Sequence, residues 1–357
     1  MIIENNFTKE WLEQQLGDIK KRKVNADPLL IEKNIHALHL LEKLIEKELD
    51  FVFKGGTALI LLLEEPVRFS IDIDILMKPS YQNDSLYSSL ESIVSESGPF
   101  IKLEKDERAN RGIPKKHFKF YYESVISNKF PQYVLLDILF DNAIYTETEK
   151  VPIKNSLINT CDPHMEALCP TLNSLLGEKM TAFAPNTTGI PYSSGKHTEI
   201  IKQMFDVSRM VKHIKPDSLE IVKENFYLSA EQNIRFRSLI DVGPEQVLDD
   251  IIDTAITILA QGKYNEDAYT QLNEGIKTIK GYIHSEKYNY DYAVKDAGRV
   301  AHLATTILNN IPFIHYTQEL KVEDYTQVEH LRRMNTLKKT DKEAYYHWQT
   351  VLSNKSK

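Results

Sequence analysis

Cysteine is almost missing: the 357 residues hold only Cys161 and Cys169. That excludes a disulfide framework and points to a reducing compartment, so a cytoplasmic setting is expected. The two thiols flank His164, but no fourth ligand with zinc-site spacing accompanies them. They read as two free thiols near a domain junction. Long apolar runs are missing too. The longest, Ala58–Leu63, falls far short of a membrane span. Met1–Glu10 carries Glu4, Asn5 and Asn6 where a secretory leader needs apolar residues. Nor is positive charge in excess, since 44 Lys and Arg against 51 Asp and Glu give a net charge of −7. No global basic field recruits nucleic acid, so any such contact must rest on a local patch.

What is present is ordinary globular composition, 42% hydrophobic and 27% charged, enough for a sizeable core. The length suggests two domains. Ile31, Ile35, Leu38, Ile45 and Leu49 recur at helical steps, with Asp27 as cap and Pro28 at the first helical position. The texture then changes. Phe51–Phe53 is a short apolar run ending in Gly55-Gly56, a helical stretch Thr57–Leu63 follows, and Ser70–Met77 alternates like a strand. A polar helix is expected over Tyr81–Ser97, with strands at His117–Tyr122 and Tyr133–Phe140. After about residue 165 strand signals stop. Helical periodicity marks Val247–Ala260, Asp267–Ile283 and Tyr292–Leu308, and the polar last dozen residues read as frayed. An α/β half thus precedes an all-α half, joined near Asn155–Pro170.

Asp72 and Asp74 sit two apart in Ser70-Ile71-Asp72-Ile73-Asp74-Ile75. A strand repeats every two residues, so both carboxylates face one side, roughly 6.5–7 Å apart at Cα, and the isoleucines face the core. Two carboxylates on one face are costly unless a cation neutralises them, and Mg²⁺ commonly joins one or two carboxylates to substrate phosphates. Asp-x-Asp alone is weak evidence. What strengthens it is Phe53-Lys54-Gly55-Gly56-Thr57 just before: a strand, paired glycines and a helix start, where phosphate oxygens can approach backbone N–H groups.

Lys54-Gly55-Gly56-Thr57-Ala58-Leu59 followed by Arg68-Phe69-Ser70-Ile71-Asp72-Ile73-Asp74 resembles the first motif of AbiEii-type nucleotidyltransferase toxins, of the polymerase-β-like superfamily. Glu178-Lys179-Met180-Thr181-Ala182-Phe183 looks like that family's lysine motif, and Lys202-Gln203-Met204-Phe205-Asp206 like its downstream acidic motif. The matched motifs span about residues 51 to 210. One departure stands out, Pro185-Asn186 where the family often has an arginine.

The resemblance implies an α+β fold: a polymerase-β-like nucleotidyltransferase domain, with a mixed sheet and flanking helices, over residues 1–165. A helical domain over 166–357 would contribute Lys179 and Asp206. It implies an enzyme that moves a nucleotide from an NTP, with Mg²⁺ or Mn²⁺, to an acceptor. That acceptor is expected to be RNA, such as a tRNA 3′ end, with a cognate antitoxin as partner and no membrane. Asp72, Asp74, Lys179 and Asp206 would be catalytic. Lys54, Gly55, Gly56, Thr57, Arg68, Ser70, Lys179 and Lys202 would bind the nucleotide. Asp72 and Asp74 would hold metal with a third carboxylate, for which Asp137 is expected as the lone charge in an apolar strand, with Asp141 in reserve. The plain alternatives are an exposed helix lysine at 179 and an Asp206 paired with Lys202 one turn away. Two other functions stay open: transfer onto a protein side chain, and nucleotide binding without turnover.

Other signals are weaker. Gly189–Lys196 resembles a phosphate loop, but it has one residue too many between its glycines and His197 where Ser or Thr is required. Arg108, Arg111, Lys115, Lys116 and Lys119, with Phe118, Phe120, Tyr121 and Tyr122, form the richest basic-aromatic segment. It reads either as an RNA track or as a lysine-protected sheet edge.

Overall fold

The computed structural model describes residues 1–21, 26–63, 65–96, 98–107, 112–127, 130–320 and 332–355. The chain forms two compact units: Met1–Leu172 with Gly281–Lys287, and Asn173–Lys280 with Tyr288–Lys357.

The first unit begins with α1 (Lys9–Lys21) and α2 (Pro28–Glu46). The Asp27 carboxylate accepts from Leu29 N–H at 3.0 Å, so the cap read from the sequence is made. Then come β1 (Val52–Lys54), α3 (Gly55–Leu62), β2 (Asp72–Met77), α4 (Asp84–Ser95), β3 (Phe100–Asp106), β4 (Lys115–Tyr122), β5 (Gln132–Phe140), β6 (Thr148–Pro152) and β7 (Glu166–Pro170). Five strands form one mixed sheet in the order β1-β2-β5-β4-β3; β2 and β5 run parallel and the other neighbours antiparallel. Strand periodicity gives this sheet two unlike faces. Phe53, Ile73, Ile75, Phe118, Phe120, Tyr122, Leu136 and Ile138 are buried in a core shared with Ile31, Ile35, Leu38 and Leu41 of α2. The opposite face carries the polar residues of β2, β4 and β5.

Three strands escape the sequence reading. β3 is the edge of the large sheet, and its Lys102, Glu104 and Lys105 mask the alternation; charge is tolerated there because an edge is solvated. β6 and β7 end in Pro152 and Pro170 and pair only with each other, so each can finish where an N–H is lost. β7 lies wholly past residue 165, where no further strand is expected from the sequence. The first unit therefore runs to Leu172 and takes back Gly281–Lys287: Phe69 N–H donates to Tyr282 O at 2.8 Å.

The second unit is helical: α5 (Leu172–Ala182), α6 (His197–Val211), α7 (Leu219–Arg237), α8 (Pro244–Leu259), α9 (Glu266–Thr278), α10 (Tyr290–Asn309), α11 (Arg332–Thr340) and α12 (Lys342–Asn354). The expected fraying of the last dozen residues is overturned through Asn354. Trp348 of α12 is buried and donates its indole N–H to Val294 O at 2.9 Å, while Gly298 supplies the space its ring needs. Among the described residues no helix is long and apolar enough to cross a membrane.

Candidate active site

The polar face of the large sheet gathers the first motif. Lys54 is the register partner of Asp74, Asp74 of Asp137, Asp137 of His117, and His117 of Asp106. Register partners share a face, and neighbouring strands lie about 4.8 Å apart. Five chemistry-bearing residues therefore cross the sheet in one row, and Asp72 lies one same-face step from Asp74.

The glycine pair is required by what packs on it. Gly55 has φ +79°, and a Cβ there would lie 2.2 Å from Asp74 Oδ2. At Gly56 a Cβ would lie 2.7 Å from Ser70 Oγ and 2.9 Å from the Arg68 guanidinium. α3 starts on these glycines, where its first-turn N–H groups lack intrahelical acceptors and favour an anion. Thr57 turns its side chain inward. Its hydroxyl donates to Asp72 O at 2.5 Å and sits 2.9 Å from Ser70 Oγ, bracing the approach to β2. Asn34 of α2 holds the same stretch by donating to Ser70 O at 2.7 Å. Arg68 is buried and donates to Phe69 O at 2.8 Å, beside the bridge its backbone makes to Ile283.

Asp137 has a partner that sequence reasoning missed. His117 Nδ1 lies 2.7 Å from Asp137 Oδ1, and both side chains are largely buried. An N–H donated there holds one carboxylate oxygen and fixes how the other is presented. The pairing depends on the β4–β5 register, which no local signal in His117–Tyr122 reveals. Asp141 follows the end of β5 and accepts from Asn142 N–H at 2.8 Å. Its distance from the row, four residues along the chain, is roughly 13 Å.

The second motif lies in the second unit. Lys179 of α5 donates to Asp206 of α6 at 2.8 Å, and the two residues are only 5% and 1% exposed. A solvent-exposed helix lysine is thereby ruled out, because a charge so buried needs its partner. Lys179 also lies 3.4 Å from Gln203 Oε1, and Lys202 pairs with Glu199 at 2.8 Å. At Pro185-Asn186, Asn186 binds Asp250 through backbone and side-chain N–H at 2.8 and 2.7 Å, and Thr187 joins at 2.9 Å. That corner is a capped turn. The Gly189–Lys196 stretch is a loop with a short 3-10 turn at Tyr192–Ser194, ahead of α6.

The basic-aromatic segment divides by strand parity. Phe118, Phe120 and Tyr122 point into the core, whereas Lys119 and Tyr121 share the face of His117. β4 is interior, since β3 pairs outside it, so the lysine-protected edge is overturned. Arg108 and Arg111 lie outside the described residues. Cys161 is exposed, Cys169 is buried, and His164 bonds Thr160 at 2.9 Å and Asp162 at 2.7 Å. Among the described residues no group of three or more His, Cys, Asp or Glu is arranged to hold a metal ion. The carboxylate row offers ligands on one face, and a hard cation there would need oxygens from a bound phosphate to complete its shell.

A family model described as nucleotidyl transferase AbiEii toxin, type IV TA system, matches residues 39–293. Among solved structures, an antigenic nucleotidyltransferase-like protein from Paracoccidioides brasiliensis is similar at 15% identity, over 58% of this chain and 89% of that one, with a TM-score of 0.37. Among curated proteins none matches significantly.

Proposed function

The chain belongs to the AbiEii nucleotidyl transferase toxin family of type IV toxin–antitoxin systems, and on that premise we propose that it moves a nucleotide from an NTP onto RNA, such as a tRNA 3′ end, with Mg²⁺. The observation that carries the proposal is the row Lys54–Asp74–Asp137, with Asp72 beside it and Gly55 empty of side chain under Asp74. Asp72 and Asp74, with Asp137 as the third carboxylate, would hold Mg²⁺, or Mn²⁺ in its place, together with phosphate oxygens of the substrate, because these side chains do not by themselves form a metal-holding group. The ion would supply charge neutralisation on the triphosphate and a lowered pKa for the attacking hydroxyl.

The chain's own groups do the rest. The N–H groups opening α3 at Gly55 and Gly56 receive phosphate oxygens, and Lys54, Arg68 and Ser70 border that cradle. Thr57 contributes through the bracing of Asp72. His117 orients Asp137. Lys179 is proposed to meet the β/γ-phosphates as a compact charge, with Asp206 orienting it and Lys202 close by in sequence; the likeness of Glu178–Phe183 to the family's lysine motif supports this. The setting is the cytoplasm, and the partner is a cognate antitoxin.

The test is incubation with each labelled NTP and total RNA, with Asp72→Ala as control. Asp72 is exposed, so its loss should leave the fold intact while transfer disappears. Label appearing in protein rather than RNA moves the acceptor to a side chain. An Asp72→Ala enzyme as active as wild type removes the carboxylate assignment.

A further inference from the structure

The polar face of the large sheet holds a second patch that nucleotide transfer leaves without a task. Tyr121 of β4 and Tyr133 of β5 are register partners there, with ring centroids 5.6 Å apart and planes inclined by 58°. Tyr133 is 37% exposed. Three lysines from separate elements frame the rings. Lys33 of α2 lies 5.1 Å from the Tyr133 centroid, Lys119 of β4 lies 5.3 Å from the same ring, and Lys102 of β3 lies 5.1 Å from that of Tyr121. Glu104 braces Lys102 at 2.8 Å and Asp106 braces Lys119 at 3.2 Å. Among the described residues no ion pair within 4.0 Å holds Lys33, whose charge acts on the Glu32 carboxylate only at longer range.

Sheet register ties this patch to the carboxylates. Leu135 follows Tyr133 on the same face and is the register partner of Asp72, which puts the tyrosine pair one step of roughly 6.5–7 Å from the Asp72 level. Asn34, next to Lys33 in the chain, donates to Ser70 O. The same helix therefore borders both places.

An exposed phenol ring, Tyr133, beside the half-buried Tyr121 and under ammonium groups suits a ligand that offers a flat π face and an anion together. A nucleotide unit offers both, since every base stacks on an aromatic ring and its phosphate meets lysine. A duplex hides its base faces, so the occupant must be unpaired. We propose that Tyr133 and Tyr121, framed by Lys33, Lys102 and Lys119, are a stacking platform for the unpaired end of a nucleic-acid acceptor, on the sheet face that carries Asp72, Asp74 and Asp137. The platform deepens the nucleotidyl-transfer proposal and rests on it for the meaning of the bound end.

Fluorescence anisotropy of the full chain with a short labelled single-stranded RNA tests it. Tyr133→Leu keeps apolar bulk and removes the ring, so binding should weaken roughly five- to a hundredfold. Tyr133→Phe should bind like wild type, and so should a blunt RNA duplex presented to Tyr133→Leu and to wild type alike. Lys33→Gln should lower the slope of log K against log salt by about 0.7, one phosphate contact on a single strand. Affinity for each of the four Mg²⁺–NTPs should not change. Three results overturn the platform: wild-type strand binding in Tyr133→Leu, lost NTP affinity there with strand binding intact, or no strand binding by wild type. Labelled-NTP transfer by wild type is read separately. Tyr133-dependent strand binding without transfer keeps the platform and sinks the activity, whereas transfer to protein without strand binding sinks the platform and moves the acceptor to a side chain.

Discussion

Gly55 and Asp74 are fitted to each other so closely that a single methyl group on the glycine would overlap the carboxylate, with Cβ 2.2 Å from Oδ2. The contact joins the first helical residue of α3 to the middle of the carboxylate row, and it sits at a backbone angle that L residues rarely adopt.

Gly55→Ala should therefore fail twice. The left-handed backbone costs about 1–2 kcal/mol with a Cβ present, and Asp74 must move. The expected outcome is a melting temperature a few degrees lower and loss of the stabilisation that Mg²⁺–NTP confers. Gly56→Ala should be milder, because its Cβ meets the ends of the Ser70 and Arg68 side chains at an ordinary φ. Thermal melts with and without Mg²⁺–NTP decide it, and a wild-type ligand shift in Gly55→Ala would remove the cradle.

His117 should matter through metal affinity. Deleting a group that orients a ligand typically costs ten- to a hundredfold in metal binding, so His117→Ala should weaken Mn²⁺ binding by about that much. His117→Asn can return an N–H toward Asp137 and should recover part of it. Mn²⁺ titration followed by electron paramagnetic resonance reads this without turnover. Equal affinity in all three proteins would leave His117 as packing.

The Lys179–Asp206 pair separates stability from catalysis. Breaking a buried ion pair on one side costs about 3–5 kcal/mol, so Lys179→Met and Asp206→Leu alone should each lower the urea midpoint markedly. The double variant should regain much of that loss, since neither member of the Lys179–Asp206 pair is left facing an empty place. If Lys179 meets phosphate, the refolded double variant stays inactive in NTP transfer. Wild-type transfer by it would make the pair purely structural.

Acid should weaken the fold through His36. This imidazole is buried against Tyr122, with ring centroids 3.6 Å apart. Burial, with a lesser effect of His39, lowers its pKa from 6.5 to about 3. Between those values the unfolded chain binds a proton that the folded chain refuses. Stability from this group is thus present above pH 6.5 and lost as pH falls towards 3, by at most about 1.4 kcal/mol per pH unit. His36→Phe keeps the stack and should flatten urea stability between pH 6.5 and 4.5 by about one proton. An unchanged slope would assign the acid sensitivity to other groups.

Local chemistry is what the sequence determined by itself. The Asp27 cap, the period-two carboxylates of β2 and the paired glycines each act within a few residues, and each stands where the pattern indicated. The charged edge strand β3 and the proline-ended β6 and β7 were hidden because their stability comes from pairing with distant strands. Tertiary structure alone decided the rest. The β2–β5 register puts Asp137 opposite Asp74 and the β4–β5 register brings His117 to Asp137, because strand partners share a face whatever their separation in the chain. Parity in β4 sends Phe118, Phe120 and Tyr122 inward and leaves Tyr121 beside Tyr133. Helix packing buries Lys179 on Asp206, and packing around Trp348 orders the polar C-terminal helix. Local physics specified which groups were present, and only long-range pairing specified which of them meet.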